Sequence, residues 1–139
     1  MGFLMMFFAL FMYHPVTPTV VEKAVIITAE EHDLLARCVE AEAGNQEPEG
    51  KALVADVIIN RVLDDRFPDT VTGVIYQPSQ FSVVNNGSID RVKVAESTRD
   101  IVDNEILART SEVKVLWFNA IGYKYGTPYK KVGAHYFSY

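Results

Sequence analysis

The fold is decided by the stretch from Ala36 to Arg61, which reads ARCVEAEAGNQEPEGKALVADVIINR. Two segments of helix-forming residues flank a short break that is rich in Gly, Asn and Pro. Gly44 suits the end of a first helix, over about Ala29 to Ala43, and Pro48 suits the first turn of a second helix. The stretch therefore predicts a helical hairpin that carries the carboxylate of Glu42 at its mouth.

The start of the first helix carries a capping signature. Thr28 and Glu31 fit the pattern in which a Ser or Thr and a Glu three residues later satisfy free N–H groups at a helix N-terminus. At about 100° per residue, four apolar side chains then fall within roughly 140° of one another. This apolar stripe, which predicts the buried face of the helix, consists of Leu34, Leu35, Cys38 and Val39.

Glu42 lies on the same stripe, in the last turn of the first helix. Glu31 also falls within the stripe, but capping already accounts for it. Burial disfavours the carboxylate anion and the helix C-terminus carries partial negative potential, so both effects are expected to raise the pKa of Glu42. A raised pKa suits a general acid near neutral pH. The residues alone leave two interpretations open: Glu42 is a catalytic acid, or it reaches solvent or caps a neighbouring backbone group.

The second helix is expected to run from Pro48 to about Asp64 and is apolar on most sides. A helix with this pattern is typical of the buried centre of a domain. Asp56 and Asn60 are its polar exceptions, one turn apart on one face. They are predicted either to hydrogen-bond each other or to hold a loop.

The segment after the second helix predicts three further elements. Asp69 or Thr70 can cap a short helix, which Pro78 prevents from continuing. Apolar residues at helical spacing predict a third long helix from about Arg91 to Arg109. The stretch from Val113 to Phe118 is β-prone.

Aromatic residues crowd into the C-terminal part of the chain. They are expected either to stack on pyranose rings, with Tyr hydroxyls adding hydrogen bonds, or to pack in a small β-like lobe. The residues concerned are Trp117, Phe118, Tyr123, Tyr125, Tyr129, Tyr136 and Tyr139.

The length and composition of the chain limit the classes of function that it can have. At 139 residues, about half of them apolar, the chain has the size of one domain with a real core. A net charge of −5 does not indicate a nucleic-acid interface. The single Cys38 is interpreted as a core residue. His14, His32 and His135 are scattered, and no Cys/His cluster has metal-ligand spacing, so no metal or cofactor is expected.

Residues 2–13, GFLMMFFALFMY, form an unbroken apolar run. The run is shorter than the roughly 20 residues that span a bilayer, but it suits the apolar region of an export signal. We therefore divide the chain into residues 1–23, an export or membrane-associating segment with a linker, and residues 24–139, a catalytic domain. An N-terminal helix packed on that domain is the alternative.

The dense motifs of the chain resemble those of the SleB/CwlJ-type cell wall hydrolases, the spore-cortex-lytic enzymes and their relatives. The resemblance covers roughly residues 30 to 137. Ala41 departs from the family's usual Gly, and the loop at Asn45-Gln46 departs from its usual Arg-Gly form. The motif residues are Glu42-Ala43, Glu49-Gly50, Asn60-Arg61, Phe67-Pro68, Thr70-Val71, Val74 through Pro78, Gln80-Phe81-Ser82, Gly133, His135 and Phe137.

The resemblance implies an α+β, mostly helical, lysozyme-like domain with a small β-rich lobe and a groove between lobes. The implied activity is cleavage of peptidoglycan glycan strands between N-acetylmuramic acid and N-acetylglucosamine by a lytic transglycosylase, in spore germination or in the vegetative wall. The implied catalytic residue is Glu42, which acts first as acid and then as base without a second carboxylate. Export to the cell wall follows from the location of that substrate.

Three rival functions remain at this point. A hydrolytic muramidase needs a second carboxylate, for which Glu49, Asp56 and Asp69 are candidates. Glu49 is rather expected to cap the second helix and Asp69 the short helix. A non-catalytic peptidoglycan-binding module would use the Tyr-rich end and leave Glu42 structural. An amidase is disfavoured because no zinc-ligand set or Cys/His nucleophile pair is recognisable.

Supporting roles are hypotheses for five further residues. Gln80 and Ser82 are expected to hydrogen-bond a sugar acetamide or hydroxyl. Tyr76 and Phe81 are expected to wall the groove, with Phe81 as a core residue in the alternative. His135 is expected to orient Glu42 or the substrate, or else to be a structural hydrogen-bonding residue.

Overall fold

The computed structural model describes residues 24–139, and the predictions for residues 1–23 lie outside this range. No helix within residues 24–139 is long and apolar enough to cross a membrane. The elements of this range are α1 (Ala29–Ala43), α2 (Pro48–Val62), α3 (Val71–Ile75), α4 (Ser82–Asn85), α5 (Ser88–Arg91), α6 (Glu96–Leu107), β1 (Trp117–Asn119), β2 (Pro128–Val132) and β3 (His135–Ser138).

Helix α1 begins and ends where the sequence predicts. Thr28 and Glu31 form the reciprocal capping box, and Gly44 is the C-cap. All four residues of the apolar stripe are buried, including Cys38. The stripe therefore packs into the core, and the last turn of α1 lies against the core as well.

Helix α2 is the centre of the domain. Every residue from 50 to 62 is buried, and α1, α3 and α6 pack around the helix. Each fully buried Val, Leu or Ile side chain contributes about 1.5–3 kcal/mol relative to an exposed one, so this helix supplies much of the hydrophobic stabilisation. Its end at Val62 lies two residues before the predicted one.

The polar exceptions of α2 hold a loop, as one of the two predictions proposed. Asn60 donates from Nδ2 to the carbonyl oxygen of Val115 at 3.0 Å. The Oδ2 atom of Asp56 accepts the backbone N–H of Ser111 at 3.1 Å. These bonds fix the segment that leads into β1.

One cap was predicted in the alternative, and one helix boundary differs from the prediction. Of the two candidates, Thr70 and not Asp69 caps α3, since the Thr70 side chain accepts the N–H of Gly73. The third long helix, α6, begins at Glu96 and not near Arg91, because Val92 and Ala95 are extended and Arg91 ends the separate helix α5. The Oε2 atom of Glu40 in α1 accepts the N–H of Ala95 at 3.1 Å and fixes this start.

The expected cap of α2 by Glu49 is wrong. The N-cap is Glu47, whose side chain makes no capping bond. Glu49 is exposed and pairs instead with Lys130 of β2, with 2.7 Å between Oε1 and Nζ. The carboxylate thus joins the helical part to the sheet.

The sheet is antiparallel with strand order β1-β3-β2. Phe118, His135 and Phe137 share its inner face, since Phe118 pairs with Phe137 and His135 lies two residues before Phe137. Phe137 is fully buried in the core. Of the β-prone stretch 113–118, only the last two residues belong to a strand.

The β2–β3 turn depends on Gly133, whose φ of 54° is left-handed. Gln46, from the loop between α1 and α2, accepts the N–H of Ala134 at its Oε1 atom, 2.9 Å away. A Cβ atom at position 133 would lie only 2.0 Å from that oxygen. The loop that follows Glu42 is therefore tied to the sheet.

Candidate active site

A cleft of about 270 Å³ lies between the helical part and the sheet. It is bounded by the end of α1, the segment before and within α4, β1 and its following loop, and the start of β3. Its lining residues are Glu42, Ser79, Gln80, Ser82, Asn85, Phe118, Ala120 and His135. The structure thus brings together four of the six residues that the sequence analysis selected.

Glu42 is partly buried and lines the cleft. Burial raises the pKa of its carboxyl group, and a hydrogen bond from the backbone N–H of Val83 lowers the pKa by a smaller amount. The net direction is upward, as the position on the apolar stripe predicts. A raised pKa favours the protonated carboxyl group, which is the form that a general acid needs in order to give a proton to a bound acceptor.

His135 lies across the cleft from the helical layer. Its ring is 7% exposed and packs against Phe118 and Phe137, with centroid distances of 5.1 and 6.0 Å. Burial lowers the pKa of the imidazole, so it is held neutral. Its Nδ1 atom is buried without a hydrogen-bond partner among residues 24–139, so the interpretation of His135 as a structural hydrogen-bonding residue gains no support at that atom.

Gln80 and Ser82 are exposed side chains that line the cleft. The backbone before them is strained, because Ser79 has a φ of 62°. A non-glycine residue in the left-handed region costs roughly 1–2 kcal/mol, which the surrounding contacts must offset. Such strain often occurs where a loop must place a functional side chain.

Tyr76 and Phe81 do not line the cleft. Phe81 is 2% exposed, so its ring belongs to the core, as the alternative interpretation had it, and the expectation that it walls the groove is wrong. Tyr76 follows the last residue of α3 and its side chain is 48% exposed. The Phe81 ring is buried against Phe118 of β1 and the guanidinium of Arg61 in α2.

The other candidate carboxylates lie away from the cleft. Asp56 is fully buried within α2, and Glu49 is paired with Lys130. Asp69 is exposed just before α3. Among residues 24–139, Glu42 is the one carboxylate that lines the cleft.

A larger cavity, of about 650 Å³, lies between the ends of α2 and α6 and the loop 108–114. Its acidic residue, Glu112, is exposed, and none of the predicted site residues lines it. No group of three or more His, Cys, Asp or Glu within residues 24–139 is placed to hold a metal ion. The predicted site residues that the structure brings together therefore line the smaller cleft and not this cavity.

Sequence reasoning missed several lining residues. Phe118 and Ala120 come from β1 and the loop after it, and Asn85 comes from α4. Asn85 stands in an Asn-Asn-Gly turn that marks a chain reversal but not its distance from Glu42. The aromatic cluster predicted at the C-terminus contained Phe118 without distinguishing it.

A helical domain with a small antiparallel sheet, and a cleft between them that holds one partly buried carboxyl group, is a lysozyme-like domain. Two solved structures share this fold. The catalytic domain of the germination-specific lytic transglycosylase SleB from Bacillus anthracis is 27% identical, with a TM-score of 0.71, over 81% of this chain and 96% of that one. The catalytic domain of the Bacillus cereus SleB protein is 25% identical, with a TM-score of 0.73, over 88% of this chain and all of that one.

The chain belongs to the Cell Wall Hydrolase family, whose model matches residues 45–138. The matched stretch begins three residues after Glu42. A curated spore cortex-lytic enzyme of Bacillus subtilis (strain 168) is 34% identical over 75% of this chain. The chain spans 36% of the length of that relative, and between 20% and 38% of the length of the first three curated relatives it matches. The resemblance in the motifs and the lysozyme-like fold expected from it are confirmed.

Proposed function

We propose that this chain cleaves the glycan strands of peptidoglycan as a lytic transglycosylase, between N-acetylmuramic acid and N-acetylglucosamine. The observation that carries the proposal is that Glu42 is the one carboxylate lining the cleft within residues 24–139. A single carboxyl group that acts as acid and then as base is sufficient for this reaction, whereas canonical glycoside hydrolysis uses a pair. The description of the SleB relative as a lytic transglycosylase supports the same reaction.

The proposed reaction needs only the substrate and Glu42. Protonated Glu42 gives its proton to the glycosidic oxygen while the bond from that oxygen to C1 of the muramic acid breaks. The C6 hydroxyl of the same muramic acid then forms a bond to C1, and its proton returns to Glu42. The carboxyl group ends in its starting state, and the product carries a 1,6-anhydro ring.

The electrostatics of the cleft support both halves of this cycle. Burial raises the pKa of Glu42 and so favours the protonated form at the start. The N–H of Val83 favours the anion that exists between the two proton transfers. Because the two effects oppose each other, the pKa of Glu42 rises less than burial alone would raise it.

We assign supporting roles to three other lining residues. Gln80 and Ser82 line the cleft, and we assign them to hydrogen bonds with the sugar. His135, on the opposite wall, is a neutral imidazole in the same cleft as Glu42, and we assign it to orienting the substrate or that carboxyl group. Action at the cell wall, after export, is part of the proposal, as is the export or membrane-associating role of residues 1–23.

The direct test compares soluble fragments released from purified peptidoglycan by the wild type, Glu42→Gln and Glu49→Gln. Fragments from the wild type and from Glu49→Gln, with none from Glu42→Gln, are the expected result. Loss of release by Glu49→Gln would instead indicate a two-carboxylate hydrolase. Binding of the wild type to the wall without any release would identify a binding module and overturn the catalytic proposal.

A further inference from the structure

Arg61 is a buried charge close to the cleft. It stands in the last turn of α2 and is 4% exposed. Within residues 24–139 it forms no ion pair with a carboxylate. Burying a guanidinium without a carboxylate partner costs free energy, so neutral acceptors must satisfy it.

Two neutral acceptors meet the guanidinium. Its Nε atom donates to the carbonyl oxygen of Leu116 at 2.8 Å, and Nη1 donates to Oε1 of Gln80 at 3.1 Å. The ring centroids of Phe67 and Phe81 lie 5.1 and 5.7 Å from its Cζ atom, within the range of cation–π attraction. The planar fork of Arg61 thus joins α2, the segment before α4 and the residue that precedes β1.

The contact with Arg61 fixes which way the Gln80 amide points. A guanidinium has donors only, so the atom that faces it must be the carbonyl oxygen of the amide. The NH2 group of Gln80 is then the end left for other partners. Since Gln80 lines the cleft with Glu42, this end is available to a ligand there.

We propose that Arg61 is a positioning residue that holds Gln80 with its NH2 group as a donor to the acetamide carbonyl of an N-acetylated sugar. This inference rests on the proposed function and names the residues that recognise the N-acetyl group. A sugar that lacks the acetyl group presents an ammonium, which has three donors and no acceptor. A fixed NH2 group cannot bond it, so Gln80 selects N-acetylated glycan over de-N-acetylated glycan.

The decisive variant is Gln80→Glu. A glutamate keeps an oxygen for Arg61 and gains an ion pair, so the loop stays in place, but the side chain no longer has a donor. The measurement is kcat and KM on N-acetylated peptidoglycan and on the same material after chemical de-N-acetylation. We expect KM on the acetylated glycan to rise about tenfold, and the preference for acetylated over de-acetylated glycan to fall about tenfold or more.

The role of Arg61 is tested by coupling. Gln80→Met and Arg61→Met are each expected to raise KM, and the double variant is expected to be no worse than Gln80→Met alone, because Arg61 acts through Gln80. If Arg61→Met does not fold, Arg61→Lys replaces it in the test. The lysine keeps the positive charge but lacks the planar guanidinium that holds Gln80. Arg91→Lys, at an exposed arginine outside the cleft, is the matched control and is expected to behave as wild type.

The outcomes separate this inference from the proposed function. A wild-type protein that does not cleave acetylated glycan contradicts the proposed function itself. A wild type that cleaves it, with unchanged KM and unchanged preference in Gln80→Glu, overturns the inference alone. Additive effects of Arg61→Met and Gln80→Met would likewise overturn the positioning role.

Discussion

The backbone N–H of Val83 donates a hydrogen bond to the carboxyl group of Glu42. This bond joins the last turn of α1 to the first turn of α4, two segments about forty residues apart in the chain. It gives the carboxylate a partner in a position where burial would otherwise disfavour the charge. Glu42 is thereby held toward the cleft.

The pH dependence of cleavage follows from the state of Glu42. Cleavage requires the protonated carboxyl group, and burial raises its pKa above the ordinary value. We expect kcat/KM to fall as pH rises through that raised pKa, with the alkaline limb above the position expected for an unperturbed glutamate. The measurement is the rate of fragment release across the pH range, at constant ionic strength.

Glu42→Gln is the companion variant for this profile. We expect it to lose at least about a hundredfold in kcat/KM and to keep the circular dichroism spectrum of the wild type. An alkaline limb that survives in the residual activity of this variant would show that another group controls it.

His135→Phe separates packing from chemistry. A phenylalanine can keep the ring contacts with Phe118 and Phe137 while removing both nitrogen atoms. We expect turnover to fall about tenfold or more with little change in melting temperature, because the buried Nδ1 atom makes no hydrogen bond within the described domain. Wild-type turnover in this variant would leave His135 with a structural role only.

The same variant has a second readout at acid pH. Because burial lowers the folded-state pKa of His135, the unfolded chain binds a proton more readily than the folded one. The free energy of unfolding therefore decreases as the pH falls below about 6.5, the pKa of a histidine in the unfolded chain. The loss is expected to be smaller in His135→Phe than in the wild type.

Ser82→Ala tests the other wall of the cleft. The side chain is exposed, so its removal is expected to leave the melting temperature unchanged. Loss of one hydrogen bond to the sugar lowers kcat/KM by roughly threefold to tenfold. Ser97→Ala, at an exposed serine of α6, is the control; equal rates for both variants would contradict the assignment of Ser82.

Asp56 predicts a pH dependence of stability. Burial, and then the neighbouring carboxyl group of Glu105, raises the pKa of Asp56 to about 8. The folded state keeps a proton that the unfolded state releases above about pH 4, so stability falls as pH rises from about 4 to about 8. The Oδ2 atom of Asp56 accepts the N–H of Ser111 at 3.1 Å, and the proton that the raised pKa retains can be donated toward Glu105.

Asp56→Asn removes the titration and keeps the bonds, since an amide can donate to Glu105 and accept from Ser111. We expect its free energy of unfolding to exceed that of the wild type near pH 8 by about 1–3 kcal/mol, and the difference to shrink near pH 5. Chemical denaturation at both pH values measures this. Asp100→Asn, at an exposed position of α6, is the control, and parallel pH dependence in Asp56→Asn and the wild type would contradict the account.

Gly133→Ala tests the tie between the sheet and the loop after Glu42. The left-handed φ of 54° and the oxygen of Gln46, 2.0 Å from the added Cβ, both oppose the substitution. We expect a loss of about 1–3 kcal/mol in the free energy of unfolding. Gly122→Ala is the matched control, because no atom lies within 4 Å of its added Cβ. A loss of stability of the same size in this control would contradict a specific role of Gly133.

Local rules predicted the part of the fold that local sequence controls. The capping box of Thr28 and Glu31, the proline in the first turn of α2 and the apolar stripe of α1 each depend on neighbours within a few residues. They were enough to place Glu42 on a buried face at a helix end. The boundary of α6 was missed because its start depends on Glu40, which is 55 residues away.

The candidate site was predicted in part for the same reason. Glu42, Gln80, Ser82 and His135 belong to motifs that can be read along the chain, and the structure gathers them in one cleft. Arg61 was named only as a motif residue and given no role, because its partners Gln80 and Leu116 are 19 and 55 residues away. Phe81 was assigned to the groove wall, since sequence alone does not distinguish a buried ring from one that faces a ligand.

The measurement that tests the central claim most directly is cleavage of purified peptidoglycan in water enriched in heavy oxygen, followed by mass spectrometry of the muramic acid ends. In the proposed reaction the C6 hydroxyl closes on C1, so no oxygen from water enters the product. We predict ends that are lighter by one water than reducing ends and carry no label. Reducing muramic acid ends that carry one heavy oxygen would contradict the account and would require a second group to activate water opposite Glu42.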